Sequence, residues 1–325
     1  MNSLDVITFG EAMAMFMAEQ PGPLHEIKHY TKELAGAETN VAIGLARLGL
    51  RAGWVSKVGN DPFGTFIMKR LQEESVNTDC VLVDSEHATG FQIKSKVEVG
   101  DPEVCYFRKN SAASHLHPSD FNQNYFLAAK HMHMTGIPLA VSASMRDFAL
   151  HALTAMKAAG RTVSFDPNLR PTLWTSKEEM VVTINEAAKQ ANYVLPGIEE
   201  GKILTGYENP EDIASYYLEA GVELVVIKLG EQGAFFKTAK EQGMVEGIKV
   251  KQIVDTVGAG DGFAVGLLSG LLQNDSLLQN DSLIQSVMRA NAIGSLAVQS
   301  PGDNDGYPAE QQLQRYMELQ TEGVK

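Results

Sequence analysis

Short apolar, β-branched runs alternate along this chain with segments of helical spacing, and that order constrains its fold more than any other feature. Leu4–Phe9 is one such run and meets Gly10, as a buried strand ending in a turn does. Residues 39–48 carry helical spacing and stop at Gly49, and residues 53–58 read as the next strand. The order returns as helix 145–159, strand 162–166, helix 177–190, strand 193–195, helix 210–220 and strand 224–228. Strand, helix and strand in succession make parallel pairs whose crossovers cover the sheet. The expectation is therefore an α/β fold with a mainly parallel sheet and helices on both faces. Ligands of such open sheets bind beyond the carboxyl ends of the strands.

Two stretches break the pattern, residues 11–31 and residues 89–108. In the second, Phe91, Ile93, Ser95, Val97 and Val99 alternate, which predicts antiparallel strands with one wet face. They form either a small sheet over the site or peripheral hairpins with no part in binding. Residues 273–284 read QNDSLLQNDSLI, a unit repeated too few times for a solenoid; it is read as a duplication lengthening a surface helix-turn, without function.

Charge narrows the partners. The net charge is −13 with no long basic run, which argues against nucleic acid or an anionic membrane and leaves a small molecule as the substrate. A few local Arg or Lys residues can still hold an anion. With 44% hydrophobic residues in 325 the chain has material for a large core, yet no apolar run nears the roughly 20 residues of a membrane span. No secretory leader opens the chain, so a cytosolic protein is expected. Cys80 and Cys105 are read as buried packing residues. The pairs His115/His117 and His131/His133 follow from a polar loop or strand alternation, with no third ligand for a metal.

The sharpest motif is DTVGAGDGF at residues 255–263, between a strand-like stretch at 247–254 and an apolar helix at 263–272. Gly258, Ala259 and Gly260 can point backbone N–H groups outward, and with the helix dipole they form a nest for charge developing on a transferring phosphoryl group. Asp261 on the same turn would repel phosphate. Accepting the proton of an attacking hydroxyl explains it, and capping the helix is the alternative. GNDPFGT at 59–65 has P-loop glycine spacing without the lysine, and no GxGxxG follows the first strand. Neither a P-loop NTPase nor a Rossmann dehydrogenase is supported.

DTVGAGD resembles the signature of the ribokinase-like, or PfkB, carbohydrate kinases, and AGAETNVA at 35–42, ARLG at 46–49 and VGNDPFG at 58–64 resemble that family's N-terminal motifs. The resemblance implies one kinase domain over residues 1–325, a three-layer α/β/α sandwich with a small β-sheet lid from residues 11–34 and 88–112. It also implies ATP and Mg2+ as cofactors, with a monovalent cation left open. Within the family, GE at 10–11, TG at 89–90, YFRKNSAAS at 106–114, MTGIPLA at 134–140 and DPNLRPTLW at 166–174 are most similar to 2-keto-3-deoxygluconate kinases; fructokinases share parts of these. The implied reaction is phosphorylation of the C6 hydroxyl, giving 2-keto-3-deoxy-6-phosphogluconate.

By position in the resemblance, Gly36, Ala37 and Asn40 approach the sugar, Gln92, Tyr106, Arg108 and Ile137 reach it from the lid and the adjoining loop, and Arg170 and Asp303 complete the pocket. Arg108 and Arg170 offer planar donors suited to a carboxylate, although Arg170 could instead brace its loop and Arg108 face solvent. KLGEQGA at 228–234 resembles the adenosine-binding turn, which gives Lys228, Gly230 and Gly233 to the nucleotide together with Asn291; Lys228 reads equally as a phosphate partner or a snorkelling side chain. Ala35 stands where the family has a glycine, and Gly197 in LPGIEE where an Asn is common. Glu200 is left to orient water around Mg2+. A ketose kinase and a nonenzymatic sugar or nucleotide sensor are the rival functions, and a homo-oligomer through the lid is an open possibility.

Overall fold

A computed structural model describes residues 3–97, 102–273 and 280–322. Its strands are β1 (Leu4–Phe9), β2 (Met13–Pro21), β3 (Tyr30–Ala35), β4 (Ala52–Val55), β5 (Lys57–Gly59), β6 (Leu82–Asp84), β7 (Phe91–Lys96), β8 (Val104–Phe107), β9 (Ala129–Thr135), β10 (Thr162–Asp166), β11 (Tyr193–Val194), β12 (Leu224–Lys228), β13 (Gly233–Thr238) and β14 (Gln242–Glu246). Its helices are α1 (Ala37–Arg47), α2 (Pro62–Glu73), α3 (Gln123–Leu127), α4 (Ile137–Val141), α5 (Ala143–Ala158), α6 (Lys177–Ala188), α7 (Ile198–Thr205), α8 (Pro210–Leu218), α9 (Ala259–Gln273), α10 (Asn280–Ala297) and α11 (Glu310–Glu322).

The main sheet runs β14-β13-β12-β11-β10-β9-β1-β4, parallel from β12 to β4 and antiparallel at β13 and β14. β1, β4, β11 and β12 present apolar residues on both faces, whereas β9 and β10 turn His131, His133, Thr162 and Ser164 to one of them. Val6 joins Trp54, Leu195 and Val226 in a core under α1, α9, α10 and α11, while Ile7 and Phe9 join Val163 and Val225 under α3, α5, α6, α7 and α8. Three layers follow, as expected. Polar caps set the helix starts: Asp61, Ser142, Ser176 and Asn209 each accept a backbone N–H of the first turn. No helix among the described residues is long and apolar enough to cross a membrane.

The lid is a second sheet, β3-β2-β7-β8. Its two hairpins are antiparallel, as the alternation implies, but β2 and β7 join them in parallel. Val99 and residues 274–279 of the duplication lie outside the described residues.

Three local expectations fail. The strand expected over residues 53–58 is two: β4 stays in the main sheet, and the chain turns at Ser56 so that β5 pairs with β6. The strand expected over 247–254 is absent, and the pairing strand is β14. At residue 247 the chain leaves the sheet: the N–H of Gly247 donates to Gln232 O, a Cβ there would sit 2.3 Å from Glu231 O, and Val254 turns to Val298 O. Apolar alternation without a partner edge makes no strand. Cys80 and Cys105, expected to be buried, are half-buried.

Candidate active site

A cavity of about 590 Å3 opens between the carboxyl ends of the parallel strands and the lid. Gly36, Asn40, Gln92, Tyr106, Arg108, Ile137, Arg170, Lys228, Gly258, Gly260, Asp261, Asp303 and Glu200 line it, drawn from elements scattered along the chain. Strand alternation turns Gln92, Lys94 and Tyr106 of the lid towards the cavity and leaves Phe91 and Phe107 on the opposite face.

Asp261 lies in the first turn of α9 and is buried. Its carboxylate does not cap that helix: Oδ2 accepts the Asn40 amide at 2.9 Å and Oδ1 the Asn168 amide at 3.4 Å. Burial pushes its pKa up to about 7; the Asn40 hydrogen bond opposes the shift and the neighbouring Asp166 adds to it. A carboxyl poised near neutrality, with both oxygens aimed by amides, is suited to taking a proton from a hydroxyl.

The nest beside it requires its glycine. Gly258 has φ +80° and packs so tightly under the Asp303 carbonyl that a Cβ would lie 1.9 Å from that oxygen. Lys228 reaches the same place: its ammonium is 3.6 Å from where a Cβ on Gly260 would be, and it donates to Asp166 Oδ2 at 2.6 Å. Burial alone would lower the Lys228 pKa, but Asp166 and then Glu200 outweigh it and hold the group above its ordinary value. Lys228 is therefore a fixed internal cation, and the snorkelling alternative falls away.

At the sugar end, Gly36 has φ +147°, and a Cβ there would meet Thr39 Oγ1 at 2.6 Å and Glu11 O at 2.7 Å. Ala35, by contrast, is absent from the positive-φ residues, so its methyl group is accommodated. Arg108 is not solvent-facing. Its Nε donates to Glu11 Oε2 at 2.6 Å, Ser111 donates to the other Glu11 oxygen, and the terminal guanidinium nitrogens are left for other partners. Arg170 is exposed at the rim and donates to Leu169 O, so both a bracing contact and a place on the cavity wall belong to it. Tyr106 is half exposed. Asp303 is buried, its Oδ1 has no hydrogen-bond partner, and burial raises its pKa to about 6 although Lys94 opposes this. A buried acceptor without a donor fits a substrate hydroxyl.

Three proposed nucleotide residues and one of the turn stand outside the cavity wall. Gly230 and Gly233 take φ of +62° and +98°, and a Cβ on Gly233 would strike Val245 O, so these glycines shape the turn entering β13. The Asn291 amide donates to Val245 O and Glu246 O and pins the end of β14. Ala259 opens α9; Ala37, which opens α1 beside Gly36, does line the cavity.

Glu200 accepts the Leu169 N–H at 2.8 Å and the Gly197 N–H at 2.7 Å, one on each oxygen. It thereby ties the 167–170 loop to the start of α7. A Cβ on Gly197 would lie 3.3 Å from Glu200 Oε2, so the glycine adds no ligand but leaves the carboxylate undisturbed.

Sequence reasoning missed several members, Lys94 and Asp166 above among them. Glu11 fastens Arg108. Glu38 is buried on the cavity wall, accepts from Thr135, and is pushed up to about 7 by burial. Asn168 contacts Asp261, and Asn304 donates to Asn40 Oδ1 at 2.8 Å, which turns the Asn40 amide nitrogen towards Asp261. Their signal was present: Glu11, Glu38 and Asn168 lie inside motifs quoted above, and Asn304 follows Asp303. Of the histidines, His131 and His133 are buried in β9 and share hydrogen bonds with Ser164, while His115 stacks on His87 and bonds Asn110.

Comparison with known proteins shows the family and the fold. The profile described as pfkB family carbohydrate kinase matches residues 3–310. The chain is 53% identical over 318 residues to the 2-dehydro-3-deoxygluconokinase of Bacillus subtilis (strain 168), covering 98% of this chain and 96% of that protein. In structure it is similar to the PfkB protein from Polaromonas sp. JS666, with TM-score 0.88 and 46% identity over 96% of this chain and 99% of that one. It is also similar to a fructokinase double mutant from Vibrio cholerae O395 in a fructose, ADP and potassium ion bound form, with TM-score 0.86 and 31% identity over 98% and 99%.

Proposed function

The chain belongs to the pfkB family of carbohydrate kinases, and we propose that it moves the γ-phosphate of ATP to the C6 hydroxyl of 2-keto-3-deoxygluconate, also called 2-dehydro-3-deoxygluconate. The observation that carries this reading is the composition of one cavity wall: a buried carboxylate beside a glycine nest, Asp261 with Gly258 and Gly260, together with two guanidinium groups, Arg108 and Arg170. Arg108 already meets Glu11 through Nε, so a neutral hexose leaves only its terminal nitrogens, and the Arg170 guanidinium, facing no anion. A sugar acid supplies one.

On this reading the sugar carboxylate meets Arg108 and Arg170, and Tyr106 and Asp303 take hydroxyl groups. Asp261 accepts the proton of the attacking hydroxyl as the new phosphoester bond forms and the bond to ADP breaks. The N–H groups around Gly258 and Gly260 and the Lys228 ammonium face the charge that spreads over the phosphoryl oxygens. The donor set fits Mg2+: each Glu200 oxygen holds one backbone N–H and keeps lone pairs for a water ligand, and Mg2+ prefers oxygen and retains waters. Bound there with ATP, the ion would neutralise phosphate charge.

Because residues from Glu11 to Asp303 contribute to one cavity, the whole chain is read as one kinase domain. A homo-oligomer through the lid belongs to the same reading. Phe91 and Phe107 stack 4.6 Å apart on the face turned from the cavity, and Phe107 is half exposed. Sedimentation velocity would show a dimer, and a monomer at all concentrations would refute it.

The position of transfer is tested by phosphorus NMR of the product formed from ATP and 2-keto-3-deoxygluconate. A C6 phosphoester supports the reading; phosphate on another carbon, or unchanged ATP, refutes it.

A further inference from the structure

Lys94 stands in β7 on the cavity face of the lid, and the reaction as described gives it no task. Its side chain is 4% exposed. The ammonium crosses from the lid to the body, where it donates to Asp255 Oδ2 at 2.5 Å and lies 3.8 Å from Asp303 Oδ1. An ammonium so buried persists only where carboxylates meet it, because desolvation of an unpaired charge is strongly unfavourable.

Both carboxylates flank the turn that carries the nest. The other oxygen of Asp255 accepts the N–H of Val257 at 3.1 Å and sets the approach to Gly258. The main chain of Asp303 presses on Gly258 from the other side. Lys94 is thus joined to the nest on two sides, through residues 161 and more positions away in the chain. Without the ammonium, Asp255 and Asp303 would confront each other as like charges beneath that turn.

We propose that Lys94 is a positioning residue of phosphoryl transfer: it joins the docked lid to Asp255 and Asp303, and through them orders the turn at residues 257–260. The inference rests on the kinase reading above. Its consequence is that the nest is fully formed only with the lid docked on the body through Lys94.

The test uses the full chain and three variants, Lys94→Met, Asp255→Asn and the two combined. Hydrogen exchange of the free protein needs no substrate. The amides of residues 257–260 should exchange at least about tenfold faster in Lys94→Met than in the unaltered chain, with β1 amides unchanged. In turnover with ATP and the sugar acid, kcat should fall about 30-fold or more while KM for the sugar stays within about threefold. The double variant should fall no further than either single one, because all three break the same link. It also leaves no lone charge between the two positions, so it keeps the test open if Lys94→Met does not fold. Unchanged exchange at the turn overturns the proposal. A raised KM with unchanged kcat also overturns it, since that would make Lys94 a sugar contact. Absence of any phosphoryl transfer in the unaltered chain would refute the kinase reading, and the exchange result would still decide whether Lys94 orders the turn.

Discussion

The Asn40 amide donates to Asp261 Oδ2 at 2.9 Å across 221 positions of sequence, and Asn304 donates to Asn40 Oδ1 to hold the amide in that orientation. The proposed base is thus aimed by the first turns of α1 and by the loop before α11, while its own helix supplies the nest. Shape and protonation of Asp261 both depend on this arrangement.

Replacing Asp261 with Asn keeps the shape and removes the proton acceptor. Its pKa is raised from the ordinary 3.8 to about 7 in the folded chain, so the unfolded state loses this proton first as pH rises. The group therefore opposes folding increasingly from about pH 4 to 7 and fully above that. Calorimetry should show Asp261→Asn melting above the unaltered chain at pH 8, with the difference shrinking towards pH 4. In the unaltered chain kcat/KM should rise with pH through about 7 and then level.

The buried pair His131 and His133 has the opposite sign. Burial lowers both from 6.5 to about 3, so each is neutral in the fold and takes up a proton on unfolding. Their contribution to stability is lost as pH falls from about 6.5 towards 3. His131→Gln should be less stable than the unaltered chain at pH 8, by about 1 kcal/mol for a lost buried hydrogen bond, and should gain on it as pH falls. Urea unfolding at several pH values measures this difference.

Arg108→Lys retains the charge and removes the fork. Because Nε holds Glu11, the terminal nitrogens are the ones left for substrate, and lysine cannot serve both partners at once. KM for the sugar acid should rise about 10-fold or more, with a smaller change for fructose. Competition between the two substrates reads the ratio.

Gly258→Ala tests the nest. With φ at +80° and the Asp303 carbonyl in the way, the methyl group forces the turn to move. A loss of about 1–3 kcal/mol in stability is expected from the backbone conformation, together with a fall in kcat larger than the change in either KM. Denaturant unfolding and steady-state kinetics check the two parts.

The layer order and the nest were legible because both depend on local pattern: apolar runs of strand length, helical spacing, and small residues before a helix. Contacts between distant segments were not. Nothing near Arg108 in sequence announces that Glu11 fastens it, since the two stand 97 positions apart and meet only in the fold. Glu38 lies inside a motif already singled out, yet its burial depends on Thr135 of β9. The false strand at residues 247–254 shows the reverse case. Its apolar residues are real, but Ile253 and Val254 are exposed, and among the described residues no strand pairs with this stretch.

The central claim is tested most directly by ADP release from Mg-ATP with 2-keto-3-deoxygluconate, gluconate, fructose and ribose offered in parallel, using the unaltered chain and Asp261→Asn. Turnover confined to the keto-deoxy acid, and reduced about 10²–10⁴-fold in Asp261→Asn, is the expected result. Equal or faster turnover of fructose, or full activity in Asp261→Asn, would contradict it.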